Sequence, residues 1–306
     1  MKSKPNTPSL SRRGFLAATA ASVAAVGMEG VDCMAQARPQ RQRQQKANEN
    51  PRSRIQVGLQ LYSVRSEMAK DLPGTIAKVG KMRYSGVEFA GYYDYKAKEL
   101  RKLLDDNGLV CCGSHTQMDT LSDANLEATI EFNQILGNQY LIVPWLKPEG
   151  DDPKKLWLRY AERFNELAEK VKPHGMFVGY HNHAHDFEDL GGTTPWDILA
   201  GNTHKSVILQ IDTGNAMSGG GDPVAYVKKY PGRSVTVHIK EFSKTNKNAM
   251  IGEGDIPWSQ LLKLCRTVGG TRWFIIEEEK DAYPPIEGVE ISLKNFRKIR
   301  TRRRNS

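Results

Sequence analysis

The chain has 306 residues, a formal charge of +9, 39% apolar and 26% charged residues, and four cysteines. That supplies a globular core and excludes a disulfide scaffold or a polytopic membrane protein. The charge is terminal: about +2 falls on residues 1–37, about +5 on 38–54 and about +7 on 294–306, leaving the remainder near −5. A nucleic-acid surface is not indicated, because duplex binding needs cations spread over the folded part.

Residues 1–37 carry Ser11-Arg12-Arg13-Gly14-Phe15-Leu16, a small and apolar run from Ala17 to Met28, and Ala35-Gln36-Ala37. This predicts a twin-arginine export signal cut after Ala37 and a periplasmic or secreted product. An uncharged stretch of about a dozen residues is too short to span about 30 Å of hydrocarbon, and Asp32 before Cys33 does not suit a lipoprotein site, so no stable membrane anchor is expected. Residues 38–54, rich in Gln, Arg and Asn, read as a disordered linker. Residues 55–300 are long enough for one barrel, followed by a basic tail at 301–306. Cys111, Cys112 and Cys265 read as small core residues.

Eight apolar runs of strand length follow: Gln56 to Leu61, Gly86 to Phe89, Leu109 to Ser114, Tyr140 to Val143, Phe177 to His181, Val207 to Asp212, Ser234 to His238 and Trp273 to Glu277. Helical patterns lie between and after them: Leu72 to Met82, Ala97 to Asn107, Asp123 to Leu136, Pro153 to Lys172, Pro195 to Ala200, Asp222 to Tyr230, Pro257 to Val268, and Gly288 towards Arg300. Gly108, Gly137 and Gly175 stand where helices should stop. Eight alternating βα units predict an α/β fold, a single (β/α)8 barrel. No GxGxxG, GxxxxGK[ST] or G-x-S-x-G motif is present, so no nucleotide site or serine nucleophile elbow is indicated.

His181, Asp212, His238 and Glu277 each close an apolar run. Singly, such a residue is more often hydrogen-bonded structure than a ligand. Four at the same end of a barrel predict one divalent metal site, because functional groups in this fold come from the ends of different strands. Two imidazoles and two carboxylates suit Mn2+, Zn2+, Co2+ or Mg2+. Glu88, ending the second strand, and His115, just past the third, are expected to point to the mouth if the register holds, and for Glu88 and His183 a hydrogen bond that orients a neighbour is the equal alternative. Lys240 and His183 share strand faces with His238 and His181. Tyr62, Trp145 and Trp258 could stack on a sugar ring, with core packing the equal alternative for Trp258. His174, His185 and His204 read as surface or loop residues.

The sequence resembles the sugar phosphate isomerase/epimerase family of xylose isomerase-like TIM barrels, particularly its exported members, from Ile55 to Lys298. The marks are Gly58-Leu59-Gln60-Leu61-Tyr62-Ser63-Val64-Arg65, Gly86-Val87-Glu88-Phe89, Gly113-Ser114-His115-Thr116, Tyr180-His181-Asn182-His183, Ile211-Asp212-Thr213-Gly214-Asn215, Val237-His238-Ile239-Lys240-Glu241, Gly252-Glu253-Gly254 and Glu277-Glu278-Glu279. The resemblance implies metal ligands at His181, Asp212, His238 and Glu277. It implies a catalytic role for Glu277; strand position adds Lys240, His115 and Glu88 as candidate catalytic groups and Trp145, His183 and Tyr62 as candidate substrate contacts.

Many epimerases of the family carry a glutamate where His181 stands, paired with the one matching Glu277. A ligating histidine is a poor base, so two-face epimerisation is in doubt, and β-elimination beside a ketone fits the change. The expected activity is a divalent-metal-dependent isomerase or epimerase acting through an enediolate on a non-phosphorylated sugar. The alternatives are a 3-keto-glycoside lyase or hydratase and a sugar-binding barrel without turnover. The expected partner is a small-molecule sugar.

Overall fold

A computed structural model describes residues 55–148 and 152–301. The chain divides into residues 1–54 and 55–306. The predicted export signal, linker and most of the basic tail therefore lie outside the described residues.

The second unit is a closed barrel of eight parallel strands in sequential order: β1 Gln56–Gln60, β2 Gly86–Phe89, β3 Val110–His115, β4 Tyr140–Val143, β5 Phe177–His181, β6 Ile208–Asp212, β7 Thr236–Ile239 and β8 Trp273–Ile276. β1 pairs with β8, which leaves no open edge. The main helices are Leu72–Lys81, Ala97–Asp106, Leu126–Leu136, Pro153–Val171, Pro195–Asn202, Pro223–Lys229, Trp258–Thr267 and Pro285–Thr301. Asp71, Asp152, Thr194 and Asp222 cap four of them, each side chain accepting from a backbone N–H. Gly137 and Gly175 take φ of 80° and 69° where the chain turns from helix to strand.

Two short helices, Arg65–Lys70 and Thr213–Ser218, escape the periodicity because one turn and a half shows no repeat. The third main helix begins at Leu126 rather than Asp123. Asp123 instead lies beside Arg163 and Lys170, at 3.0 and 2.7 Å.

Alternate residues of each strand face inward and build layers. Tyr140, Ile142 and Ile208, packed with Trp273, close the lower end. One inward step along the strands brings Gln60, Glu88, Gln210 and Thr236, a polar layer with no exposed surface. One step further come Asp212 and His238. Outside the barrel, Trp157, Phe164, Tyr180 and Trp196 fill the space between strands and helices. The three described cysteines are buried and unpaired, and burial pushes Cys111 and Cys265 up to about 12, which makes them inert packing groups. No described helix is long and apolar enough to cross a membrane.

Candidate metal centre at the barrel mouth

Register gathers the four strand-end residues. His181 closes β5, Asp212 closes β6 and pairs with His238 of β7, and Glu277 follows β8. All four are buried, and one ligand atom from each lies within 4.8 Å of the others. Asp212 Oδ1 accepts from Asn215 N at 2.6 Å, while Oδ2 is buried without a hydrogen-bond partner. An unpaired buried carboxylate oxygen is costly, and a cation is the partner it lacks. The donor set therefore fits a divalent ion.

Each imidazole is oriented from behind. His238 Nδ1 lies 2.5 Å from Glu277 Oε2 and 3.7 Å from Asp212 Oδ2, while Nε2 lies 2.5 Å from Glu88 Oε2. Burial opposes the charged form, yet Glu88 and Glu277 hold His238 up at about 10, so Nδ1, between Glu277 and Asp212, would have to exchange its proton for an ion to act as a ligand. Gln210 Nε2 donates to Glu88 Oε1 and Thr236 Oγ1, both at 2.9 Å, so the Gln210 carbonyl oxygen faces the imidazoles. His181 Nδ1 then donates to it at 3.1 Å, leaving the Nε2 lone pair free. Burial, helped by His238 and His115, lowers His181 well below the usual range, so the ring is neutral, as a ligand must be.

Lys240 Nζ donates to Glu277 Oε1 at 3.3 Å and to Glu279. Burial opposes its charge, but Glu277, Asp212 and Glu279 raise its pKa, so it stands as an ammonium. Burial likewise opposes ionisation of Glu277, while Lys240 and His238 drive its pKa well down.

His115 meets the group: its ring stacks on His238 at 5.3 Å and lies 4.8 Å from His181, with Nε2 3.2 Å from Gln210 Oε1. Glu88 corrects the expectation that it points to the mouth. Its carboxylate is fully buried below, held by Gln60 at 2.8 Å, Gln210 and His238. The register shifts between Val87 and Glu88, and the opposing residue is Gly113, where an added Cβ would sit 2.4 Å from Glu88 Oε1. Glu88 is placed to orient His238, the alternative reading for this residue. Glu88→Ala is expected to weaken Zn2+ or Mn2+ binding about 10- to 100-fold in a calorimetric titration; wild-type affinity would refute that role.

His183 lies 5.2 Å from His181, and its ring stacks on His185 at 6.0 Å. His185 is a partly exposed loop residue, as expected, set by the turn Ala184–Phe187 between His183 and Trp145, whose ring is 6.2 Å away. His174 and His204 are exposed, as expected. Tyr62 and Trp145 are 43% and 47% exposed at the mouth. Trp258 is buried and donates Nε1 to Glu241 Oε2 at 2.9 Å, which places it in the core.

Sequence reading missed Gln60, Gln210, Asn182 and Glu279. Asn182 Oδ1 accepts from Asp212 N at 2.7 Å and Nδ2 donates to Asp212 O at 3.2 Å, tying β6 to the end of β5. Two-residue spacing could have found Gln210, two before Asp212, and Glu279, two after Glu277. Nearby, Asp186 accepts from Tyr180 Oη at 2.9 Å and from His183 N at 2.7 Å. Burial pushes its carboxyl up to about 7. The folded state then holds a proton that the unfolded state releases near pH 4, so this group makes stability fall as pH rises from about 4 to 7. Asp186→Asn is expected to flatten that slope in thermal midpoints measured across the same range. An unchanged slope would assign it to other groups.

A family model described as the xylose isomerase-like TIM barrel matches residues 76–299. The chain belongs to this family. Within it, the chain is similar to the rhizopine catabolism protein MocC of Rhizobium meliloti, 23% identical over 255 residues that cover 70% of this chain and 77% of that one. An inosose dehydratase of Serratia proteamaculans is 29% identical over 156 residues, 44% of this chain and 51% of the enzyme, so the chain spans about half of that relative. A sugar phosphate isomerase/epimerase structure from Parabacteroides distasonis superposes with a TM-score of 0.68 at 24% identity, covering 79% of this chain and 98% of that one, which establishes the shared fold. The chain is an enzyme of this xylose isomerase-like type.

Proposed function

We propose that this member of the xylose isomerase-like family is a divalent-metal-dependent lyase or dehydratase. It removes the proton beside the carbonyl of a non-phosphorylated keto sugar or polyol and expels a β-oxygen substituent. His181, Asp212, His238 and Glu277 would hold the ion, which when bound polarises the substrate carbonyl.

The observation that carries the reading is the identity and tautomer of His181. Epimerisation on both faces needs two bases, and many of the family's epimerases supply a glutamate where His181 stands. Here that position is a neutral imidazole whose Nδ1–H is committed to Gln210. In this reading Glu277 takes the proton from the reacting carbon and passes it to the departing oxygen, while the Lys240 ammonium, 3.3 Å from Glu277, stabilises the negative charge that develops there. Such an elimination needs only one residue to move the proton. The dehydratase relative supports the same chemistry.

A non-phosphorylated substrate is supported by the cations beside Glu277. Lys240 pairs with two glutamates, Arg65 lies 3.8 Å from Glu279, and Lys280 lies 3.8 Å from Glu278. The export signal read in residues 1–37 supports it as well, since sugar phosphates are cytoplasmic; a periplasmic or secreted location is part of the proposal.

Isomerisation or epimerisation is the second reading, favoured by His115, which faces the same centre and could return a proton. The test is NMR in D2O with enzyme stripped of metal and reloaded with Mn2+ or Zn2+, mixed with ketohexoses, inososes and 3-keto-glycosides. Formation of an enone with loss of water or an alcohol is the expected result. Deuterium entering an otherwise intact sugar would overturn elimination in favour of the second reading.

A further inference from the structure

The four proposed ligands come from the β5 to β8 side with His115 of β3 beside them, so the loops after β1, β2 and β4 are left to receive the rest of a substrate. The large apolar side chains exposed among the described residues are Tyr62, Tyr93, Trp145, Leu158, Phe177 and Tyr283. Tyr62, Tyr93, Trp145 and Tyr283 lie in loops that leave the C-terminal ends of strands, at the mouth.

Tyr62 and Tyr93 form the best-defined pair. Gln60 joins Tyr62 to the floor of the site: its Oε1 accepts from Tyr62 N at 3.0 Å while its Nε2 donates to Glu88 at 2.8 Å. Arg65 stacks its guanidinium 4.1 Å from the Tyr62 ring centroid and donates to Tyr62 O at 2.8 Å. Tyr93 is at the tip of a tight turn closed by Tyr95 N donating to Tyr92 O at 3.0 Å. Tyr93 and Asp94 both have positive φ, 51° and 61°, the turn form that normally takes Asn-Gly. A bulky residue there is strained, and such strain collects at functional sites.

Tyr92 holds the turn down, donating to Asn133 at 3.0 Å and packing 4.3 Å from Phe132, so its neighbour Tyr93 is turned outward with 36% of its surface exposed. β1 and β2 are paired neighbours, so the segments that carry Tyr62 with Arg65 and Tyr93 leave adjacent strands at the same end of the barrel. Both rings stay exposed at the mouth although burial would stabilise them.

We propose that Tyr62, Tyr93 and Arg65 form a second ring-binding subsite, which makes the substrate a glycoside whose aglycone or second sugar stacks there while the reacting sugar faces Glu277. This rests on the reading of the mouth as a sugar site and names what the β-leaving group is. Flat apolar ring faces are what paired tyrosines and a stacked guanidinium recognise, with large contact area at low entropic cost.

The test is equilibrium binding to the metal-loaded full-length protein by calorimetry, with D-glucose, the methyl glucosides and the p-nitrophenyl glucosides of both anomers as probes. Wild type should bind one p-nitrophenyl glucoside at least tenfold more tightly than the matching methyl glucoside. Y62A and Y93A should lose that preference, whereas F177A, which removes an equally exposed ring at the opposite end of the barrel, should keep it. No preference in wild type, no binding of any glucoside, or a preference that survives in both Y62A and Y93A would overturn the subsite. Glu277→Gln separates the two proposals: retained preference without turnover supports the subsite whatever the reaction, and elimination from keto sugars without any glycoside preference supports the reaction alone.

Discussion

Glu277→Gln is expected to lower kcat/KM by about 10³- to 10⁴-fold, with thermal unfolding still cooperative. The substitution keeps the shape of the side chain and its reach to His238 Nδ1 at 2.5 Å and Lys240 Nζ at 3.3 Å. It removes the negative charge that both partners answer. On the proposed reading three effects combine: a metal ligand would be weakened, the proposed base could no longer take a proton, and Lys240 keeps Glu279 as its remaining carboxylate contact. Metal content, measured on the purified variant, separates the first from the second. A variant that binds metal normally yet fails to turn over assigns the base role to Glu277. A variant that retains more than a tenth of wild-type kcat/KM would show that the proton goes elsewhere, with His115 the next candidate.

Trp157→Ala is expected to cost about 3–5 kcal/mol, the range for deleting a buried aromatic. At about 2–4 °C per kcal/mol for a domain of this size, the thermal midpoint should fall by roughly 6–20 °C. Trp157 is 1% exposed on the helix Pro153–Val171, and its ring meets Tyr180 at 5.8 Å and Tyr160 at 5.5 Å. Tyr180 also touches Phe164 and Trp196, so the cavity would open inside a cluster of rigid rings that collapses poorly. The consequence reaches the site, because Tyr180 on the outer face of β5 precedes His181 on the inner face. Metal affinity should fall together with stability. A loss below 1 kcal/mol would mean that the ring cluster repacks and that β5 is held by its neighbours in the sheet.

The barrel was legible because its signal is repeated eight times. β2, β4 and β5 begin and end where the apolar runs do, and the remaining strands differ at their ends by a residue or two. Most of those strands are shorter than their apolar runs, but in β3 pairing outruns hydrophobicity: His115 is polar, yet the strand extends through it because Ile142 of β4 pairs with it. Short helices such as Thr213–Ser218 were not legible, because they form around a single cap, Asp212 Oδ1, rather than around an apolar stripe.

At the site, ligand-type residues at strand ends could be read directly: strand number and chain direction alone place His181, Asp212, His238 and Glu277 at one end. Their order along the chain also determined the polarity of the barrel and the half of the mouth they occupy. Tertiary structure alone decided what stands behind them. Glu88 is read from sequence as a mouth residue, but a register shift in β2 and the missing side chain at Gly113 let it fold under His238. Gln210 is one polar residue in an apolar run until the closed barrel brings Glu88, Thr236, His115 and His181 around its amide, from four other strands. Periodicity along a chain reports which face a residue takes. The partners across a barrel interior, and so the tautomers and charges that set its chemistry, come from closure between strands up to about 150 residues apart.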